Sequence, residues 1–184
     1  MAFVLLGVEK VRIVPGFTEA NPFDLYYMPY THSLPGAAVL SLVLGGIVAV
    51  SVSAPRGRTF ALVAAASFSL WLLDLVVHVP DLPLYDDSAK VGFGLWRHVA
   101  ISFPLEIALM AAGAAIYARA MQPAGRARLK LWGFAAFLVL VQVFGNFGPT
   151  PPSQSGMAMM ALGFYLVLIA AAAWVERGVL PARA

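Results

Sequence analysis

Apolar positions in this chain come as long unbroken runs, separated by short polar stretches. A helix that crosses a bilayer needs about 20 consecutive, mostly apolar residues. Five stretches meet that need, near 32–54, 59–79, 96–118, 131–147 and 157–175. A membrane barrel would instead alternate apolar and polar side chains over about ten residues per strand, so the pattern excludes it. The expectation is an all-α fold: a polytopic membrane helix bundle of about five transmembrane helices, forming one domain over residues 1–184. A short apolar run at 2–8 is too brief to span a bilayer. It reads as the last two turns of a helix, an N-terminal helical remnant. Gly45 and Gly46 in the first helix, and the small residues at 111–115 in the third, suit close helix packing.

Composition supports the lipid setting. The chain is 61% hydrophobic and only 11% charged, against roughly 25% charged residues in soluble domains. Hydrocarbon accepts such a surface provided the backbone is paired internally. There are no cysteines, which excludes disulfides, iron–sulfur clusters and thiolate zinc sites. The net charge of +3 belongs to loops and gives no reason to invoke nucleic acid; the bilayer is the expected partner.

Basic residues set the expected orientation. Arg56 and Arg58 follow the first span, Arg119, Arg126, Arg128 and Lys130 the third, and Arg177 and Arg183 the fifth. With alternating helices these all fall on one side, the cytoplasmic one by the positive-inside rule. The C-terminus is then cytoplasmic. The opposite, outer side carries Glu9, Glu19, Asp24, Asp81, Asp86 and Asp87 against Lys10, Arg12 and Lys90.

That topology gathers the three histidines, His32, His78 and His98, at the outer ends of their helices. Asp74 precedes His78 by four residues, one turn away on the same helical face. Asp81 follows His78 just past Pro80. Such a carboxylate can ligate a metal beside the imidazole or orient the ring from behind. The candidate metal ligands are His32, Asp74, His78 and His98; the candidate catalytic residues are Asp74, His78 and Asp81, with Asp24 able to complete the shell. Histidine and oxygen donors suit zinc, manganese or iron without choosing among them. With an open position, such a divalent metal activates water for hydrolysis. The same residues also have bland uses. Asp74 can simply pair with His78, Asp81 can turn the chain after Pro80, His98 can sit at the interface beside Trp96, and Asp86 and Asp87 can form a solvated loop. Glu106 lies within the third span, either as a proton relay or hydrogen-bonded to Gln142 or Asn146. Met157, Met159 and Met160 hint at soft copper ligation but more often fill apolar space. The aromatic stretch at 22–33 reads as a stiff, non-helical interfacial anchor or a lid.

Three stretches resemble a bacterial family of small polytopic membrane proteins described as membrane-bound metal-dependent hydrolases: Pro29-Tyr30-Thr31-His32-Ser33, the segment 72–84 around Asp74, His78 and Asp81, and the segment 90–96. The resemblance implies a bacterial inner-membrane protein with a metal site at the periplasmic face, and it carries over to His32, Asp74, His78 and Asp81. The chain departs from the pattern twice. Leu70 stands where relatives carry a histidine, one turn before Asp74, and a further first helix with a Gly-His pair is not seen. Two readings follow: a hydrolase acting on an amphiphilic or periplasmic substrate, or a non-catalytic accessory subunit with a degenerate site, packed against other membrane subunits. A transporter has less support, since neither an inverted repeat nor a broken helix is evident.

Overall fold

The computed structural model describes residues 1–179; Arg183, used above for orientation, lies outside them. Among the described residues, five helices are long and apolar enough to cross a membrane, as the hydrophobic runs predict: α2 (Leu34–Ser51), α3 (Arg56–Val77), α4 (Val99–Met121), α5 (Gly125–Phe147) and α6, which runs Gln154–Val179. The chain is a multi-pass membrane protein of all-α class. The expected remnant is a single turn, α1 (Ala2–Leu5). Contacts gather into two compact units, one of Leu6–His98 and the other of Met1–Leu5 with the chain from Val99 onward.

In the first unit, α2 and α3 form a tightly packed hairpin. A Cβ on Gly45 would lie 3.0 Å from the Phe60 carbonyl and 3.1 Å from the Ala64 Cβ, tighter than ordinary contact, so glycine suits this close approach. Gly46 has nothing within 4 Å, so of the two glycines only Gly45 serves the packing. Ser41 Oγ donates to Ser67 Oγ across the pair at 3.2 Å. The start of α2 is fixed chemically: Ser33 is an extended N-cap whose hydroxyl accepts from Gly36 N at 3.2 Å and donates to the Pro29 carbonyl at 2.5 Å.

Outside the spans the unit carries a cap of two hairpins. β1 (Lys10–Ile13) pairs antiparallel with β2 (Phe23–Tyr27), with Lys10 opposite Tyr27 and Arg12 opposite Asp24. Residues Phe23–Tyr27 of the aromatic stretch at 22–33 are therefore a strand. β3 (Leu82–Tyr85) pairs with β4 (Ser88–Val91) through a turn in which Asp86 takes a positive φ of 50°. Asp87 is ion-paired to Lys90 at 2.9 Å, so it is not simply solvated. Lys90 Nζ also donates to the Tyr26 carbonyl at 2.7 Å, tying the two hairpins together. Leu25, Met28, Val79 and Leu82 are buried beneath them. Gly92 is held where a side chain would strike the carbonyls of His78 and Val79, and Gly94 N donates to His78 O at 2.6 Å.

In the second unit α4 packs on α5 and α5 on α6, with α1 against α6. α5 begins at Gly125, earlier than the hydrophobic pattern places it, and takes Arg126, Arg128 and Lys130 into its first turns. Gln142 Nε2 donates to the Glu106 carboxylate and Asn146 Nδ2 to the Gln142 carbonyl, so this half-buried acid is hydrogen-bonded to α5. Met157 is buried, whereas Met159 and Met160 are exposed, so the three do not converge as one soft ligand set.

Candidate functional site: a histidine–carboxylate centre under the hairpin cap

The first unit brings several of the expected residues together where α2 begins and α3 ends. His32 lies two residues before α2, and His78 is the C-cap of α3, its N–H bonded to Asp74 O at 2.8 Å. Their rings meet edge-on with centroids 6.3 Å apart. Trp96 packs on His78 at 4.5 Å, and Trp71 Nε1 donates to the His32 carbonyl at 2.8 Å. Asp74 is half-buried and interacts electrostatically with His78 and Asp81. His98 is exposed, and among the described residues no hydrogen bond or ion pair joins its side chain to this group. Asp24 is drawn instead to Arg12, at 2.6 Å.

Each imidazole is held by an oxygen on Nδ1. Asp81 Oδ1 is 3.0 Å from His78 Nδ1, and both side chains are buried. Asp81 Oδ2 accepts from Leu25 N at 3.2 Å, pinning β2 to the end of α3. Thr31 Oγ1 is 2.8 Å from His32 Nδ1 and 2.7 Å from Glu9 Oε2. A carboxylate only accepts, so the threonine hydroxyl donates to Glu9 and takes its own bond from His32 Nδ1–H. Both rings are thereby assigned as Nδ1–H tautomers with the lone pair on Nε2, an assignment inferred from the network. Burial, and next the neighbouring His78, push the His32 pKa down to about 4, so it is neutral at neutral pH.

Glu9 is the functional side chain that the hydrophobic pattern misses. It is fully buried, and its carboxylate accepts from Tyr30 N at 3.0 Å, Thr31 N at 2.7 Å and the Thr31 hydroxyl. The signal in the sequence is a lone acid directly after an apolar run, Glu9 after Val8, which counts as a loop charge unless its backbone partners are known.

Oxygen-oriented imidazoles are the arrangement in which histidine serves a metal. Two are in place, but among the described residues no three His, Asp or Glu side chains gather closely enough to hold an ion. Leu70, at the position of the expected further histidine, is 61% exposed and offers no donor. The residues present do not make up a metal site on their own. Beside the centre lies a polar cavity of about 630 Å³ lined by Arg12, Asp24, Tyr26, Asp81, Lys90 and Arg97 among others. Neither histidine lines it. Set against protein-family models, curated proteins and solved structures, the chain matches none.

Proposed function

We propose that the chain is a non-catalytic subunit of a bacterial inner-membrane assembly, with the hairpin cap on the periplasmic side as its presenting surface. The observation that carries this reading is the use to which the two buried carboxylates, Glu9 and Asp81, are put. Glu9 accepts three hydrogen bonds and Asp81 two, and every donor but His78 and the Thr31 hydroxyl is a backbone N–H of the cap. Groups spent in this way hold the lead-in to α2 and strand β2 onto the helix ends; they are not poised to take a proton from water. Leu70 adds to this, since the donor that the hydrolase pattern expects is an apolar side chain. The cap also exposes two large aromatic residues, Tyr85 at 72% and Phe93 at 77%, of the kind enriched where proteins meet. Lipid remains a partner along the spans; other membrane subunits are the partners of the cap.

A second reading, hydrolysis, is favoured by one observation. The Asp81–His78 pair is how a carboxylate fixes an imidazole with Nε2 free for proton transfer. Two measurements separate the readings. Purified from its own membrane at native abundance, the chain should bring stoichiometric membrane partners; a chain that always migrates alone sinks the subunit reading. Metal analysis of the purified protein should find no stoichiometric ion. A zinc, manganese or iron ion at one per chain, lost in His78→Ala, would install the hydrolase reading in its place.

A further inference from the structure

The second unit carries a different feature, far in sequence from the histidines. An apolar groove of about 560 Å³ runs between α4, α5 and α6, walled by Met110, Gly113, Leu138, Ala172 and Trp132 among others. A second cavity of about 290 Å³ lies at the turn from α4 to α5, lined by Arg119, Gln122, Arg128 and the same Trp132. The two share the indole, so an apolar channel within the span opens beside a basic pocket at its end. A Cβ on Gly113 would meet nothing within 4 Å, which leaves the groove open.

The charge at this end is mostly basic, with one carboxylate, Glu176, in the groove wall. From 107 to 175 the chain has no acidic residue. Arg126, Arg128 and Lys130 fall at the beginning of α5, whose N-cap Ala124 offers no side-chain bond and whose first turn has no acid. Helix N-termini carry unpaired N–H groups and a partial positive charge, and they favour anions. Here cations stand on that end, with Arg119 from the last turn of α4 facing the same pocket. Lys130 is occupied, its Nζ 4.4 Å from the Trp174 ring. The carboxylate in the groove wall, Glu176, is engaged, accepting from Tyr117 OH at 2.7 Å. Arg119 and Arg128 are therefore the cations that the pocket itself presents, and a guanidinium suits the oxygens of a phosphate.

We propose that this composite cavity binds an anionic phospholipid, its phosphate at Arg119 and Arg128 and one acyl chain in the groove past Trp132. Charge complementarity selects an anionic over a zwitterionic headgroup, since each basic residue near the membrane surface adds to the attraction. The apolar groove selects a lipid over a soluble phosphate. A volume of about 560 Å³ lies inside the usual ligand-site range of roughly 300–1,000 Å³.

The test uses the full chain in zwitterionic vesicles, titrated with phosphatidylglycerol or phosphatidylcholine carrying brominated acyl chains. The quenching absent from a Trp132→Phe control reports the site. Brominated phosphatidylglycerol should quench Trp132 at a mole fraction roughly tenfold lower than the phosphatidylcholine. R119Q/R128Q should bring the two lipids to parity, while R119K/R128K retains part of the preference. Gly113→Leu should block the quenching while leaving every charge in place. Helical circular dichroism and elution volume identify any variant that fails to fold. Equal quenching by both lipids in the native chain overturns the proposal, as does a preference that survives R119Q/R128Q. Loss of the preference in millimolar inorganic phosphate would make the pocket a site for free anions and would also overturn it.

Discussion

The hairpin cap of the first unit and the membrane spans are stabilised in opposite ways. Under the cap of the first unit, Met28, Leu82, Glu9 and Ser33 are fully buried, and the buried polar atoms of Glu9, Asp81 and His78 are matched to partners. The spans bury only a small share of their length, 6% for α3 in the first unit as for α4 and α5 in the second. The difference lies in the solvent. Water drives the hairpins to hide Leu25, Met28 and Leu82, and any polar atom hidden with them must be hydrogen-bonded. Lipid is as apolar as leucine, so helices there gain little by hiding side chains and associate through packing and a few polar bonds, of which Glu106–Gln142 is one. Side-chain deletions should therefore act strongly in the cap and weakly along the spans.

The largest expected effect is at Glu9. Glu9→Ala leaves two backbone N–H groups and a threonine hydroxyl without their acceptor, a loss of about 3–5 kcal/mol at roughly 1–3 kcal/mol for each buried donor left unsatisfied. Hydrogen exchange at Tyr30 and Thr31 should accelerate accordingly, while exchange in α4 to α6 stays unchanged. Glu9→Gln should recover part of the loss, because its amide oxygen can still accept from both N–H groups. Acceleration in both units would show that the cap is not a separate stabilising region.

The next effect is on pH. His32 is shifted from 6.5 to about 4, so between those values the unfolded cap binds a proton that the folded cap does not. Stability at this site is fully present above pH 6.5 and is lost progressively as the pH falls toward 4. At about 1.4 kcal/mol per unit the loss is at most about 3 kcal/mol, lowered further because the ring is only half-buried. His32→Asn should flatten the dependence, read by Trp96 fluorescence or by cap hydrogen exchange across that range. An unchanged slope in the variant would assign the titration to another group.

What is legible in the sequence follows the same division. Spans are legible because hydrocarbon imposes one rule on every residue it touches, and that rule holds over some twenty positions. The start of α5 lies several residues before the hydrophobic run because Arg126, Arg128 and Lys130 are helical yet polar, so the helix begins before the hydrophobicity does. The hairpins escape the pattern because β1 and β3 are four residues each, with Pro83 inside one of them. Their stability comes from Lys90 reaching Tyr26 O and Asp81 reaching Leu25 N, contacts between segments 64 and 56 positions apart. At the centre, the nearness of His32 and His78 follows from topology, and that of Glu106 and Gln142 from their depth. Glu9 stays hidden because nothing local distinguishes a buried acid from a solvated one.

Packing gives a third, smaller contrast. Gly45→Leu places a side chain against the Phe60 carbonyl and Ala64, and overpacking of this kind costs about 1–3 kcal/mol. Gly46→Leu meets nothing within 4 Å and should stay within about 0.5 kcal/mol. Gly113→Leu in the second unit, which also meets nothing within 4 Å, should be equally mild. Thermal unfolding of the three variants in one detergent ranks them. A penalty at Gly113 as large as that at Gly45 would mean that the second unit is packed as densely as the first.

The smallest effect tests the premise that the cap sits in water. Arg12 lies 2.6 Å from Asp24 with a side chain 62% exposed, and it also stands over the Tyr26 ring. An exposed pair of this kind is worth less than about 1 kcal/mol and is screened by salt. Arg12→Gln should therefore change cap stability by only a few tenths, and the change should vanish near 1 M salt, where the screening length is about 3 Å. The rest of the hairpin register should hold, because Lys10 to Tyr27 and Ile13 to Phe23 still pair through the backbone. A loss of several kcal/mol, insensitive to salt, would place the hairpin in a medium of low dielectric constant. The cap would then lie among lipid headgroups, and the opposition between cap and spans would reduce to a difference in packing alone.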